Sequence, residues 1–388
     1  MSIAKDFSLS AVIAGFITVL VGFTGAGVIV FQAAQALNAS PAEIASWMWA
    51  LGLGMGLTCI ALSWRYRQPV VTAWSTPGAA LLITAADGVS MPEAIGAFLF
   101  CGVLLTLCGF SGWFEKIMDR IPLPLASAML AGVLLKFGMN LFVAMQTQFV
   151  MTIAMFLLYL AMRRTQPRYA VLSALVLGIL IAGAQGLLRL EDVQLQLASP
   201  VWITPQFSAS SLIGIGLPLF IVTMASQNVP GVATIRSFGY DTPISPLIGW
   251  TGAATLLLAP FGAFALNLAA ITAAISMGRE AHEDPDKRYV AAISAGIFYL
   301  IIGLFGATVA AVFAALPVAL VSAIAGLALL GTIGNSLSIA LSAEQDREAA
   351  LITFLVTASG LALFGISSAF WGLVAGVLAT FLLKQRDH

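Results

Sequence analysis

Fourteen apolar runs fill almost the whole chain and leave only short polar connections, at about 9–34, 44–64, 69–87, 92–112, 122–140, 148–163, 169–188, 210–235, 246–260, 261–278, 289–311, 315–334, 348–365 and 366–383. Most match a hydrocarbon core of about 30 Å. Lipid offers the backbone no hydrogen-bond partner, so a crossing segment must satisfy its own N–H and C=O groups, as a helix does. Composition agrees, since 60% of the 388 residues are hydrophobic, 9% are charged and the mean hydropathy is +1.00. No soluble domain of this length has that balance. The chain reads as an all-α polytopic membrane protein with 14 transmembrane segments. The first run lacks a basic stretch leading to a small-residue cleavage site, so it is read as a permanent span.

Basic residues test the segment count, because they gather on the cytoplasmic side of a membrane. With the N-terminus inside, the inner connections hold Lys5, Arg65, Arg67, Lys116, Arg120, Arg163, Arg164, Arg168, Arg236, Arg279, Lys287, Arg288, Arg347, Lys384 and Arg386. Only Lys136 and Arg189 of the 17 fall outside. Removing one crossing reverses every later loop and destroys the asymmetry. Both termini are thus expected in the cytoplasm, and the short runs at 69–87 and 261–278 are expected to cross.

The run at 69–87 has two unlike halves. Pro69-Val70-Val71-Thr72-Ala73-Trp74 favours extended chain. Thr76 is then expected to cap a helix with Pro77 at its first position, and Gly88 to close it. About ten helical residues span roughly 15 Å, half the hydrocarbon core, so this helix starts near the midplane. Its free N–H groups form a natural anion site, and broken backbone at that depth is tolerated only inside protein or beside a cavity. An internal repeat points the same way. Phe7-Ser8 answers Phe207-Ser208, and LPLASAMLAGVLL at 123–135 answers PVALVSAIAGLAL at 317–329. In the same alignment Pro69 faces Pro260 and Thr76 faces Asn267, which is expected to cap a second half-helix. An odd number of crossings per repeat inverts the second copy. The expected architecture is two inverted seven-segment repeats, 1–205 and 206–388, with segments three and ten part extended chain and part half-helix.

TAWSTPGAALL at 72–82, LPLFIVTMASQNVPG at 217–231, SPLI at 245–248, AITAAI at 270–275, GIFYLIIGLFG at 296–306 and TASGLALFGISSAFWGL at 357–373 resemble the BenE family of benzoate/proton symporters of bacterial inner membranes. That family is related to the nucleobase/ascorbate and sulfate-permease transporters. The resemblance implies a core domain (about 9–112 and 210–311) moving against a gate domain (about 122–188 and 315–383), often paired as a homodimer. It implies proton-coupled import of benzoate or a similar small aromatic carboxylate by alternating access, with membrane lipid and protons as further partners. The wider group holds substrate between the two half-helix starts and segment eight. Carried over, this gives Trp74, Ser75 and Thr76, then Ser226, Gln227 and Asn228, then Phe264, Ala265 and Asn267.

Residue chemistry fits those roles. Hydroxyls and helix N-termini can bond a carboxylate, while Trp74, Phe264 and Phe23 can wall an aromatic ring. Each residue also has a plainer reading as cap or packing group, and the Ser-Gln-Asn triplet as interhelical glue. Nucleobase relatives carry acidic residues in segments eight and ten, where this chain has Ser226-Gln227 and Leu266-Asn267, so the proton carrier is open. Glu43 stands with Ser40 as a capping box, Asp87 ends the third run facing water, and Lys136 can snorkel or attract an anion. The substrate's own protonation is one route for the proton.

Several classes are excluded. The only histidines are His282, in the charged loop REAHEDPDKR, and His388, so no intramembrane Ser–His or metal site can be built and the chain is not read as an enzyme. Cys59, Cys101 and Cys108 lie in apolar runs without CxxC spacing and read as packing residues. No metal or cofactor is expected, and a net charge of zero argues against nucleic acid. Three alternatives stay open: a transporter of another organic anion or nucleobase, an uncoupled uniporter or channel, and a receptor that binds without transporting.

Overall fold

The computed structural model describes residues 6–114, 122–279, 281–364 and 366–384. Lys5, Lys116, Arg120 and Arg386 of the basic set lie outside them. In the first half, α1 runs Leu9–Ala36, α2 Pro41–Tyr66, β1 Thr72–Ala73, α3 Thr76–Ala85, α4 Met91–Phe110, α5 Leu123–Val143, α6 Phe149–Thr165 and α7 Ala170–Ala184. In the second, a continuous helix α8 spans Ala209–Ser237 and includes two π-helical turns. It is followed by α9 Ile244–Leu258, β2 Asn267–Leu268, α10 Ile271–Met277, α11 Tyr289–Leu304, α12 Gly306–Ala315, α13 Val318–Ser342, α14 Arg347–Ala358 and α15 Ser368–Lys384. Among the described residues seven helices are long and apolar enough to cross a membrane. An eighth is added if α1, which turns by 41° between Leu9–Thr24 and Ala26–Ala36, counts as one span.

One expected run divides. The apolar stretch 289–311 reads as a single segment, but its helix ends at Leu304 and α12 starts at Gly306. Hydropathy registers only that both pieces avoid water, not that the backbone turns at Phe305.

Local signals explain many helix starts. Ser8 and Ser208, equivalent in the repeat, both accept a backbone N–H three residues on, from Ala11 at 3.2 Å and Ser211 at 3.2 Å. Ser40 and Glu43 close their expected capping box, with the Ser40 N–H on Glu43 Oε2 at 2.7 Å and the Glu43 N–H on Ser40 Oγ at 3.3 Å.

Small residues fix the helix packing. The helix α2 lies along α11, and a Cβ at Gly52 would come within 2.6 Å of the Gly303 Cα. Similarly α4 lies along α9, where a Cβ at Gly109 would fall 2.0 Å from the Gly249 N. Neither pair tolerates a side chain without parting the backbones. Elsewhere α5 lies along α13 and α14, α6 along α7, and α14 along α15.

At the centre the two extended stretches pair. Thr72 faces Leu268 and Ala73 faces Asn267, antiparallel, and the Ala269 N–H reaches the Val71 carbonyl at 2.9 Å. Hydroxyls and amides of neighbouring helices satisfy more of the exposed backbone. Ser63 on α2 exchanges bonds with the Val70 N–H (3.1 Å) and carbonyl (3.0 Å). Thr255 on α9 accepts from the Leu266 N–H at 3.0 Å, and Asn228 Oδ1 on α8 from the Leu268 N–H at 2.9 Å. Buried in this way, unwound chain can persist at membrane depth.

Candidate functional site

The start of α3 follows directly from its sequence. Ser75 is extended (φ −80°, ψ 97°), and its Oγ accepts the Gly78 N–H at 3.1 Å. Thr76 is the first helical residue and Pro77 the second, one place later than expected. The cap therefore belongs to Ser75, not Thr76. Both hydroxyls could cap, and Ser75 takes the role because its side chain is wholly buried against α8, where Thr223 Oγ1 donates to it at 3.1 Å. Thr76 is left half-buried.

Opposite stands the second π-helical turn of α8, Met224–Asn228. Such turns are uncommon and occur often at functional sites. Thr223, just before this turn, points at Ser75, and the turn itself packs against β2 and α5. Gln227 is half-buried, and among the described residues neither its amide nor the Thr76 hydroxyl has a hydrogen-bond partner. Ser226 returns its hydroxyl to the Val222 carbonyl at 2.5 Å. Asn228 is fully buried and spends its oxygen on β2, while its Nδ2 lies 3.3 Å from Met224 Sδ. Thus α8 holds both broken segments, one through Thr223 and one through Asn228.

Trp74 closes one side. Its ring meets Phe23 edge-on with centroids 4.9 Å apart, and Phe23 stacks on Phe313 of α12 at 6.4 Å. Phe264 does not join them. It is fully buried with Trp47 and Phe98, each 5.7 Å away, in an aromatic cluster of its own. Ala265 beside it has φ +42°, a left-handed conformation that turns the chain toward β2.

Asn267 overturns a second expectation. It does not cap a helix, because it sits in β2 and α10 begins four residues later, after Ala270 and without a side-chain cap. The strands that pair, starting at Thr72 and Asn267, are 195 residues apart. At that offset Thr76 corresponds to Ile271, and Trp74-Ser75 to Ala269-Ala270. Proline matching put the alignment four residues out. Asn267 Nδ2 donates to the Ala265 carbonyl at 2.9 Å, and its buried Oδ1 has no partner among the described residues. The second half-helix has seven residues and is held from its far end. Buried Arg288 donates to the carbonyl of Met277, its last residue, at 2.9 Å, to that of His282 at 2.8 Å and to that of Glu283 at 3.4 Å. In the same connection Tyr240 Oη donates to the Pro285 carbonyl at 3.0 Å, and burial is the main cause that raises its hydroxyl above the ordinary tyrosine value.

The remaining candidates lie farther out. Glu43 is held in its cap, and Asp87 is exposed just past α3. Lys136 is exposed and lines a cavity of about 430 Å³ between α1, α3, α5 and α13. The three cysteines are buried and free, and among the described residues no cluster could hold a metal. Sequence reasoning missed Thr223, Arg288 and Phe313. Thr223 stands one turn before the polar triplet, and a helical projection of that stretch would have found it.

Solved structures share this fold. The overall structure of SLC26A9 matches with a TM-score of 0.61 at 13% identity, covering 99% of this chain and 67% of that one. The transmembrane domain of a cyanobacterium bicarbonate transporter, BicA, matches at 0.60 and 13% identity over 95% of this chain and 97% of its own. At that identity the likeness establishes a shared fold. Sequence then narrows the class. Residues 5–382 match the family described as benzoate membrane transport protein, BenE, and the chain belongs to that family. The inner membrane protein YdcO of Escherichia coli is 50% identical over 96% of this chain and 95% of its own. The benzoate membrane transport protein of Acinetobacter baylyi is 42% identical over 99% of this chain and 98% of its own. The chain is therefore a transporter and not an enzyme.

Proposed function

We propose that this protein imports benzoate or a similar small aromatic carboxylate across the bacterial inner membrane, coupled to protons, by alternating access. The observation that carries this reading is the Thr76 hydroxyl at the start of α3, unpartnered among the described residues and two residues on from Trp74, whose ring meets Phe23. A helix start offers N–H groups and a positive dipole worth up to about 2 kcal/mol when partly buried, and the rings offer apolar walls. Membership of a benzoate transport family supports the substrate class. With Glu43 held as a cap and Asp87 at the surface, the substrate's own carboxyl is the proton's carrier.

The topology follows from fourteen crossings in two inverted repeats with both termini cytoplasmic. It is supported by the antiparallel strand pair and by the helix pairs α2 with α11 and α4 with α9, which exchange places under a two-fold relation. Helices α1–α4 and α8–α12 form a core that shifts against a gate of α5–α7 and α13–α15, and a homodimer steadies the gate. Support for the division is the packing of α5 along α13 and α14 and of α6 along α7.

The test is uptake of labelled benzoate by vesicles of purified protein, with and without an inward proton gradient, against unlabelled uracil and sulfate. Gradient-driven accumulation blocked only by aromatic carboxylates is expected. Uptake indifferent to the gradient would remove the coupling, and competition by uracil would remove the substrate class. Saturable binding without accumulation would make the protein a receptor.

A further inference from the structure

The cavity that Lys136 lines is not used by the site just described. It occupies about 430 Å³ and takes its walls from both proposed bodies, α1 and α3 on one side and α5 and α13 on the other. That volume falls within the range of small-molecule pockets, and an aromatic carboxylate is a small ligand for it. Its polar lining is Gln32, Gln35, Thr84, Lys136, Asn140 and Ser322, which includes one cation and no carboxylate. Among the described residues Lys136 has no ion-pair partner. Gln32, also in the lining, has an Oε1 that is buried and, among the described residues, unbonded. An unpaired buried acceptor is costly, and turning the amide over presents an N–H at the same place. The cavity is thus equipped to receive either a protonated acid or its anion.

Position gives the cavity a role. Thr84 stands eight residues along α3 from Thr76, so the cavity lies about 12 Å from the helix start along the helix axis. It is also at the end of α3 near Asp87, the outer side in the proposed topology. We propose that this cavity is an outer vestibule that captures the carboxylate of a small aromatic anion on Lys136, with Gln32 and Asn140 completing the bonds, before the anion passes down α3. The proposal rests on the transport reading above. Lys136 draws the anion by long-range attraction that dissolved salt screens.

The experiment is initial-rate uptake of labelled benzoate by cells expressing Lys136→Gln, Lys136→Arg and Lys136→Cys, at low and high ionic strength. Lys136→Gln is expected to raise the half-saturating concentration about ten-fold at low salt and only slightly at high salt, acting on that constant rather than on the maximal rate. Lys136→Arg should rescue it. The native cysteines are buried, so an impermeant thiosulfonate can address Lys136→Cys selectively. Attaching an aminoethyl group should restore the low constant, and attaching a sulfonatoethyl group should not. The proposal is overturned if Lys136→Gln keeps the wild-type constant and salt dependence, if only its maximal rate falls, or if both thiol reagents act alike. Absence of uptake by the wild type defeats the transport reading itself, an outcome distinct from all of these.

Discussion

The two broken segments pair strand to strand yet are held in opposite ways. Segment three is fixed at its helix start, where Ser75 takes bonds from the Gly78 N–H and from Thr223, and its helix then runs ten residues. Segment ten has an apolar start at Ala269-Ala270-Ile271 and is fixed at its end by Arg288. Two broken segments that pair with each other therefore need not be anchored alike. Among the described residues the unpartnered hydroxyl of Thr76 stands at the start of α3, while the second segment's unpartnered oxygen, Asn267 Oδ1, lies back in β2.

Substitutions can break this contrast in a graded order. Arg288→Ala should cost most, about 3 kcal/mol, because a buried cation leaves three carbonyls that it had satisfied. Thermal unfolding in detergent measures it, and Arg288→Lys should recover only part. Ser75→Val and Asn228→Leu come next at roughly 1–3 kcal/mol each, since each strands a buried donor: the Gly78 N–H and Thr223 hydroxyl, or the Leu268 N–H. Equal, negligible shifts for Ser75→Val and Ala270→Val would erase the asymmetry. Thr76→Val and Gln227→Ala, with free groups and little structural duty, should leave unfolding nearly unchanged. Benzoate binding by calorimetry should instead weaken by about 1–3 kcal/mol for each. Unaltered affinity in both would move the site away from α3. The smallest effect is expected of Glu43→Gln, about 0.5 kcal/mol from a weakened cap, with proton-coupled uptake retained. Abolished proton flux with intact binding would instead make Glu43 the carrier.

Much of this was legible in the sequence where the signal was local. Ser40 announces its helix because a cap bonds a neighbour within three residues, and Thr76-Pro77 announces a half-length helix to within one residue. Segment ten was misread because prolines Pro69 and Pro260 were matched, while the structural equivalence runs through the strands. Phe264 and Trp74 looked interchangeable as aromatic residues beside broken chain. One packs with Trp47 and Phe98 and the other with Phe23, a difference that no local pattern encodes.

The sequence by itself determined that the chain lives in a membrane, that two of its apolar runs are interrupted, and which family it joins. These depend on hydropathy, propensity and residues close together along the chain. Tertiary structure alone decided that Thr72 meets Leu268, that Ser75 and not Thr76 is the cap, and that Lys136 shares a cavity with Gln32. The reason is physical. A polar group buried in lipid must be paired, and here the partner that satisfies it lies on another helix, in the case of Ser75 and Thr223 148 residues away along the chain.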